Sequence, residues 1–475
     1  MFSNHMEVQA FCEEHQIELI DFKLLDLAGR WHHLTIPVSR FTKATITDGI
    51  GFDGSSYGFL TVEKSDMVFK PDLEQYFIDP FTEVKTLVFF TKIYHTGENN
   101  QRFASDPRYV AEKVEAYLKD EKIASHALLG PEFEFYTFDS CHYSLTPENY
   151  GYRIDTKQAV WRSNTEENNN GYIVKHKGGY HVDIPFDINF DMRNEMTLKL
   201  EALNVPVKYQ HPEVGGPGQQ EIELAFGNTI CMADRSMIVK YVVRNIAVKH
   251  NRTATFMPKP ILGEAGSGMH VHIQLFEGDE NLFYEKGGYS DLSDVGLYAI
   301  GGILKHAASL MAFTNPSTNS YKRLVPGYEA PVSICYGTAN RSSVIRIPGY
   351  ATQPDKKRFE FRPSDATANP YLAYSALVMA AIDGIKHKID PVKEGYGPLD
   401  VNVFHLSDEQ RKRIKALPKN LFEVIEAIES DYDYLIEGGI FTKGLIDDQI
   451  AYLKREALEE SVVPSPREYK MYYDL

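Results

Sequence analysis

The chain has 475 residues, enough for two or three domains and a substantial core. Its formal net charge of −16 argues against bulk attraction to nucleic acid or an anionic membrane, although arginines or metal ions can invert the field inside a cleft. Four scattered cysteines, Cys12, Cys141, Cys231 and Cys335, form no C-x-x-C pair, so neither a zinc motif nor a disulfide framework is expected and a reducing cytosol fits.

In chain order, the pattern predicts a helix over residues 6–15, a strand over 18–25, a turn at Ala28-Gly29-Arg30 and a second strand through 35. A glycine-rich loop, Gly49-Ile-Gly-Phe-Asp53-Gly-Ser-Ser56, precedes strands over 66–70 and 84–93. A polar stretch from His95 breaks the pattern, and the domain boundary is placed within 96–105, between domains of residues 1–100 and 106–475. A helix runs from Asp106-Pro107 through 119. Residues 153–177 read as an irregular excursion. Three long helices, over 233–250, 295–313 and 370–386, are apolar all round and should back a sheet. Residues 315–331 form a long apolar-poor loop of the kind that is usually functional or disordered. The last seventy or so residues read as helical and polar. The first residues show no basic stretch followed by an apolar run, so no signal peptide is expected, and the longest apolar helix, over 371–385, is interrupted by Asp383 and too short for a bilayer. A soluble cytoplasmic protein is expected, with neither nucleic acid nor membrane as partner.

Four stretches place charged or metal-binding side chains at every second residue. They are Glu132-Phe-Glu134-Phe135, Gln220-Glu221-Ile-Glu223-Leu224, Met269-His270-Val-His272-Ile273 and Arg358-Phe-Glu360-Phe-Arg362. On a strand, residues i and i+2 share a face, so each stretch gathers its charges on one side. Carboxylates that close repel one another, and a hard divalent cation is the natural counterweight.

Each stretch has a bland reading too. A lone Glu-x-Glu is most often a solvated edge, and a lone histidine is most often a satisfied core or surface residue. The run from His211 through Glu213 to Glu221 could be a simple hairpin. Their concurrence argues for chemistry, and without thiolates the donor set suits Mg²⁺ or Mn²⁺ better than zinc or copper. Two hard cations facing Arg323, Arg341, Arg346, Arg358 and Arg362 suit phosphoryl transfer. No Walker A loop or dinucleotide fingerprint is present. The residues alone therefore reach a metal-dependent enzyme handling ATP or another phosphate compound on an antiparallel sheet. A metal-dependent hydrolase and a binding or structural protein stay open as alternatives.

Several longer runs carry a resemblance. They are Phe52-Asp53-Gly-Ser-Ser56, Gly130-Pro-Glu-Phe-Glu-Phe135, Gly178-Gly-Tyr180, Gly266-Ser-Gly-Met-His-Val-His272, Asn315 through Glu329-Ala-Pro331, Asn340-Arg341 through Arg346 and Arg358 through Pro363. In order and spacing, from about residue 18 to the end, the chain resembles type I glutamine synthetase.

The resemblance implies an α+β fold, with a small N-terminal β-grasp-like domain and a large catalytic domain whose curved antiparallel sheet is backed by helices. It implies ATP-dependent ligation of ammonia to L-glutamate through a γ-glutamyl phosphate. One Mg²⁺ or Mn²⁺ would be held by Glu134, Glu213 and Glu221, and another by Glu132, His270 and Glu360. Arg323 would take the substrate α-carboxylate, with Gly266 beside the substrate. Arg341 and Arg362 would stabilise the moving phosphoryl group and the γ-carboxylate, and His272, Gln274, Arg346 and Arg358 would lie near the nucleotide. Asp53 would deprotonate ammonium in a pocket completed by Ser56, Tyr180 and Glu213, and Glu329 would close the site. Asp53 would come from a neighbouring subunit, in a homo-oligomer of two stacked hexameric rings.

Three positions depart from the family pattern. Ala265 stands where Asn is usual, which leaves open a γ-glutamyl-amine ligase using an organic amine. Phe404 replaces the tyrosine of the adenylylation site, and Thr61 replaces a feedback-related arginine. A catalytically silent relative is the remaining alternative.

Overall fold

The computed structural model describes residues 1–58, 65–97, 100–166, 169–326, 330–403 and 406–475. Helix α1 (His5–Glu14) starts at Asn4, whose side chain accepts the amides of Met6 and Glu7. Strands β1 (Leu19–Leu25) and β2 (Trp31–Pro37), a short helix α2 (Lys43–Thr47), and β3 (Ile50–Asp53), β4 (Asp66–Ile78) and β5 (Thr86–His95) complete the N-terminal unit. Its sheet runs β2-β1-β5-β4-β3, with β1 and β5 parallel and the other pairs antiparallel. Val8 and Cys12 of α1 pack with Ile20, Phe22, Leu87 and Phe89 in a β-grasp core. Strand β4 outruns the expected 66–70 because a register irregularity between Pro71 and Tyr76 interrupts the alternation without ending the strand.

The C-terminal domain begins with α3 (Pro107–Asp120), β6 (His126–Phe138) and a hairpin, β7 (Ser140–Thr146) with β8 (Asn149–Asp155). The irregular stretch after it therefore starts later than the expected 153–177 and, among the described residues, holds only a 3-10 turn (Val160–Arg162) before the next helix at Phe190. Next come α4 (Phe190–Ala202), β9 (Val207–Pro212), β10 (Gln219–Leu224), α5 (Thr229–Lys249), β11 (Thr253–Thr255), β12 (Met269–Glu277) and β13 (Glu280–Asn281). Then follow α6 (Asp294–Lys305), α7 (Ala307–Thr314), α8 (Ser320–Arg323), β14 (Ser333–Thr338), β15 (Ser343–Ile347), β16 (Phe359–Phe361) and α9 (Pro370–Lys386).

The large sheet runs β14-β15-β16-β12-β6-β10-β9. Every pairing along it is antiparallel except β14 with β15, so the sheet is mixed rather than wholly antiparallel. Helices α3, α5, α6 and α9 pack into the core beside it, and α9 is buried almost end to end.

The single helix expected over 295–313 is two, α6 and α7, bent by 76° at His306. The His306 ring is pinned at the joint, with Nδ1 on Asp431 and Nε2 on Asp383, each at 2.9 Å. No single helix among the described residues is long and apolar enough to cross a membrane. The polar C-terminal region also builds core, because Leu421–Ser430 and Lys443–Ser461 bury Val424, Ile428, Leu445, Ile446 and Leu453.

Arg108 bridges the domains. It bonds Asp72 of β4 at 2.6 Å and grips both carboxylate oxygens of Asp234 on α5. The Asn369 amide adds bonds to the carbonyls of Asp26 and Leu27.

Candidate active site

The alternating charges become one surface through strand register. Glu132 of β6 lies opposite Glu223 of β10 on one side and His270 of β12 on the other. Glu134 faces Glu221. Glu360 of β16 sits between His272 and Arg346. All share one face of the sheet, while Phe133, Phe135, Ile222, Val271 and Phe361 fill the core on the other. The charged face forms the wall of a cleft of about 550 Å³.

Two carboxylate clusters stand out on this wall. In the first, Glu132, His270 and Glu360 bring ligand atoms within 4.8 Å of one another. His270 Nδ1 is 3.0 Å from Glu132 and 3.4 Å from Glu360. In the second, Glu213 and Glu221 group with His211, which sequence reasoning did not single out as a ligand. Glu134 is turned differently. One oxygen accepts the Gly268 amide at 2.7 Å, and the other lies 3.8 Å from His270 Nε2.

The clusters differ in electrostatics. Burial opposes the charge on Glu132, yet bonds to His270 and His272 outweigh it and hold this carboxyl well below its usual range. Burial is likewise overcome at Glu360, where Arg362 and the two imidazoles hold the carboxyl down at about 2. At the other end burial wins. Together with Glu134 and Glu221 it pushes Glu213 up to about 9, and burial with Glu132 and Glu134 pushes Glu221 well above its normal value.

Glu213 Oε2 is buried with no hydrogen-bond partner. This end is short of positive charge, and its oxygen and imidazole donors fit a hard divalent cation such as Mg²⁺ or Mn²⁺.

Arg346 and Arg362 line the opposite end. Arg346 donates to Glu360 at 2.6 Å, and Arg362 bonds the other Glu360 oxygen. Arg341 is exposed at the mouth of the cleft, where it faces Tyr180. Burial, reinforced by Glu213, raises the Tyr180 hydroxyl above its ordinary value against the pull of Arg341.

Arg323 is buried beneath the glycine loop. Its Nη1 donates to the carbonyls of Pro363 and Ser364, and its Nη2 to that of Arg362. It passes there only because Gly266 and Gly268 lack side chains. A Cβ on Gly266 would stand 2.6 Å from Arg323 Cγ, and one on Gly268 would stand 2.5 Å from Nη2.

Some expected residues lie outside the cleft lining. Gln274 spends its amide on the carbonyls of Asp355 and Lys357. His272 is fully buried and donates toward Glu132 at 2.8 Å, so it braces the cleft from behind. Arg358 is held between the rings of Phe226 and Tyr350, with its Nη1 on the carbonyl of Lys356.

Asp53 and Ser56 belong to the N-terminal domain and do not line this cleft of their own chain. Hydrogen bonds from Ser55 hold the exposed Asp53 carboxyl below its ordinary value. Glu329, Phe404 and Thr61 lie outside the described residues.

Sequence reasoning passed over Lys208, Tyr209 and Glu223 as site residues. Lys208 and Tyr209 line the cleft, and Lys208 forms an ion pair with the fully buried Glu223. Glu223 lay within the alternating pattern, so its placement was readable there. Lys208 is one lysine on an ordinary-looking strand and gave no signal.

Family models describe what the chain matches. The glutamine synthetase β-grasp domain matches residues 16–96, and the glutamine synthetase catalytic domain matches residues 104–472. A glutamine synthetase of Streptomyces filamentosus is 44% identical over 479 residues, covering 100% of both chains. One from Aquifex aeolicus is 43% identical and covers 99% of this chain and 98% of that one. A solved Plasmodium falciparum glutamine synthetase superposes with a TM-score of 0.89 at 28% identity, covering 99% of each chain.

Proposed function

The chain belongs to the glutamine synthetase family, and we propose that this cleft ligates ammonia to the γ-carboxylate of L-glutamate at the expense of ATP. A γ-carboxylate oxygen displaces ADP from the terminal phosphorus to give γ-glutamyl phosphate. The nitrogen of ammonia then attacks the acyl carbon, and phosphate leaves with the bonding pair.

The observation that carries this reading is the register that sets Glu132, His270 and Glu360 in one cluster and Glu213 and Glu221 in another, facing Arg341, Arg346 and Arg362. The first three residues would hold one divalent ion. Glu213 and Glu221 would hold the second, with Glu134 or His211 as the further ligand. Mg²⁺ or Mn²⁺ bound there would neutralise charge on the phosphoryl oxygens.

Arg323, oriented by three backbone carbonyls, would receive the α-carboxylate. Arg341 and Arg362 would stabilise the transferring group, and Arg346 the nucleotide phosphates. The Phe226, Arg358 and Tyr350 stack supports a place for Arg358 near the base, with His272 and Gln274 acting from behind as supports.

Ammonium has no free lone pair, so a carboxylate must take a proton before attack. Asp53 is held ionised by its serines and suits that role, with Ser56, Tyr180 and Glu213 completing the cation pocket. Glu329 would shield the acyl phosphate and take the second proton. Because Asp53 does not line its own chain's cleft, a second copy would have to supply it. A homo-oligomer of two hexameric rings is the assembly we propose, in the cytoplasm.

Phosphate release from ATP, Mg²⁺ and glutamate tests the reading, with ammonium compared against a panel of organic amines. Ammonium-dependent release that Asp53→Ala abolishes is expected. Release with an organic amine but not with ammonium selects the amine-ligase reading, which the small Ala265 in the cleft lining favours. No amine-dependent release at all refutes both.

A further inference from the structure

Three loops close the end of the cleft that holds Glu213 and Tyr180. One spans residues 171–182 and carries Lys177, Gly179 and Tyr180. The second is the 213–218 turn between β9 and β10, which carries Glu213. The third, residues 258–268, leads into β12 and carries Ala265 and Gly266. All three contribute to the cleft lining.

None of them is a strand or a helix of eight residues, so regular backbone hydrogen bonding does not fix their mutual positions. One buried carboxylate bonds to both of the other two from the third. Glu264, of which 4% is exposed, accepts from His176 Nδ1 at 2.6 Å on one oxygen. Its other oxygen accepts the Lys177 amide at 3.1 Å and the Gly216 amide at 3.2 Å. A single side chain on the third loop thus holds the first and second together.

Two further observations point the same way. Lys177 has φ 52° and His181 has φ 54°, left-handed conformations that cost a non-glycine residue about 1 kcal/mol or more and persist only where surroundings enforce them. The amide that Glu264 accepts is that of Lys177 itself. The clasped backbones also touch directly, since the Gly179 amide donates to the Val214 carbonyl at 3.1 Å and the His181 amide to the Pro212 carbonyl at 3.1 Å. Tyr180 is thereby laid along the strand end that presents Glu213.

We propose that Glu264 is a positioning residue for the ligation, a clasp that sets Tyr180 against Glu213 and so shapes the pocket for the amine and for glutamate. It touches no reacting atom and acts through the His176 ring and the backbone amides of Lys177 and Gly216. The nucleotide end, built from β15, β16 and β12, is fixed by sheet pairing and does not depend on it. The inference rests on the ligase reading for its kinetic consequence but not for its structural one.

The test compares Glu264→Ala and Glu264→Gln in the full-length enzyme by steady-state kinetics and by hydrogen exchange. Glu264→Ala should lower kcat/KM for ammonium and for glutamate by about tenfold or more while KM for ATP stays within about twofold. It should also raise amide exchange in residues 174–181 and 213–216 selectively. Glu264→Gln, whose carbonyl can still accept both backbone amides, should restore most of the loss.

If Glu264→Ala does not fold, His176→Ala removes one arm of the clasp and should show the same selective exchange, with about a threefold rise in KM for ammonium. Unchanged exchange in these segments overturns the clasp. So does a loss that falls equally on ATP and is not restored in Glu264→Gln. Wild-type enzyme without amine-dependent turnover would instead overturn the ligase reading, and the exchange result would still decide the clasp.

Discussion

Replacing Gly268 by alanine tests how the glycine loop positions Arg323. The added Cβ would lie 2.5 Å from Arg323 Nη2 and 2.9 Å from His270 Nε2. An arginine tip usually swings away from such a clash, but this one is 4% exposed and held by three carbonyls. His270 has no easy retreat either, because its Nδ1 is bonded to Glu132 at 3.0 Å. The Gly268 amide keeps its bond to Glu134, so the perturbation falls on the arginine. The contact forfeited first is that from Nη2 to the Arg362 carbonyl at 3.1 Å. A hydrogen bond from a charged donor contributes about 1.5–3 kcal/mol. Taking about 2 kcal/mol, and about 1.4 kcal/mol per tenfold, kcat/KM for glutamate should fall by about 30-fold. The assay is phosphate release with glutamate varied at saturating ATP and ammonium, then with ATP varied. A kcat/KM for glutamate within about twofold of wild type would refute the proposed role of the buried guanidinium.

Glu221→Gln removes one member of a buried carboxylate group that has too few cations. Without metal the variant should unfold about 2 °C higher than wild type, whereas the stabilisation that Mg²⁺ gives wild type should be lost; thermal unfolding with and without Mg²⁺ reads both. His306→Asn tests the α6–α7 joint. Burial opposes the imidazolium, but Asp383 and Asp431 outweigh burial and raise the His306 pKa. A raised folded pKa means that the extra stability is complete below the unfolded value near 6.5 and fades as pH rises through the folded one. The variant should therefore lose about 2 kcal/mol at pH 6 and visibly less at pH 9, read from denaturant midpoints. A loss independent of pH would refute the charged form of the joint.

The alternating stretches were legible because a strand converts a two-residue period directly into a face, so within each stretch the charged residues could be assigned to one side. Which of them meet was not legible, because register between strands far apart in sequence depends on the whole sheet. That is why His211, directly across the β9–β10 pair from Glu221, enters the second cluster while Glu134 turns to the Gly268 amide. The break at His306 escaped periodicity for a similar reason. The apolar pattern of 295–313 is continuous, and only the distant Asp383 and Asp431 pin the bend. Lys208 illustrates a plainer limit, since its meaning comes entirely from the buried Glu223 across the strand pair. The β4 overrun shows that a period can lapse at a bulge while the strand persists.

The order of charges across the sheet has a consequence of its own. From β9 and β10 toward β15 and β16 the wall changes from carboxylates that pair with His211 and Lys208 to Glu360, gripped by both Arg346 and Arg362. The same residue type is pushed in opposite directions at the two ends, upward at Glu213 and Glu221 and downward at Glu132 and Glu360. An acid-rich end with a buried carboxylate oxygen that receives no hydrogen bond suits a cation, whether metal or ammonium. An end whose arginines outnumber what Glu360 alone requires attracts phosphate. A reaction that must hold ammonium and a polyphosphate within one cleft needs such a gradient, because a uniformly acidic wall would repel the nucleotide and a uniformly basic one would repel the amine. The gradient follows from which strand neighbours which, so strand order positions the two substrates as much as any single residue does.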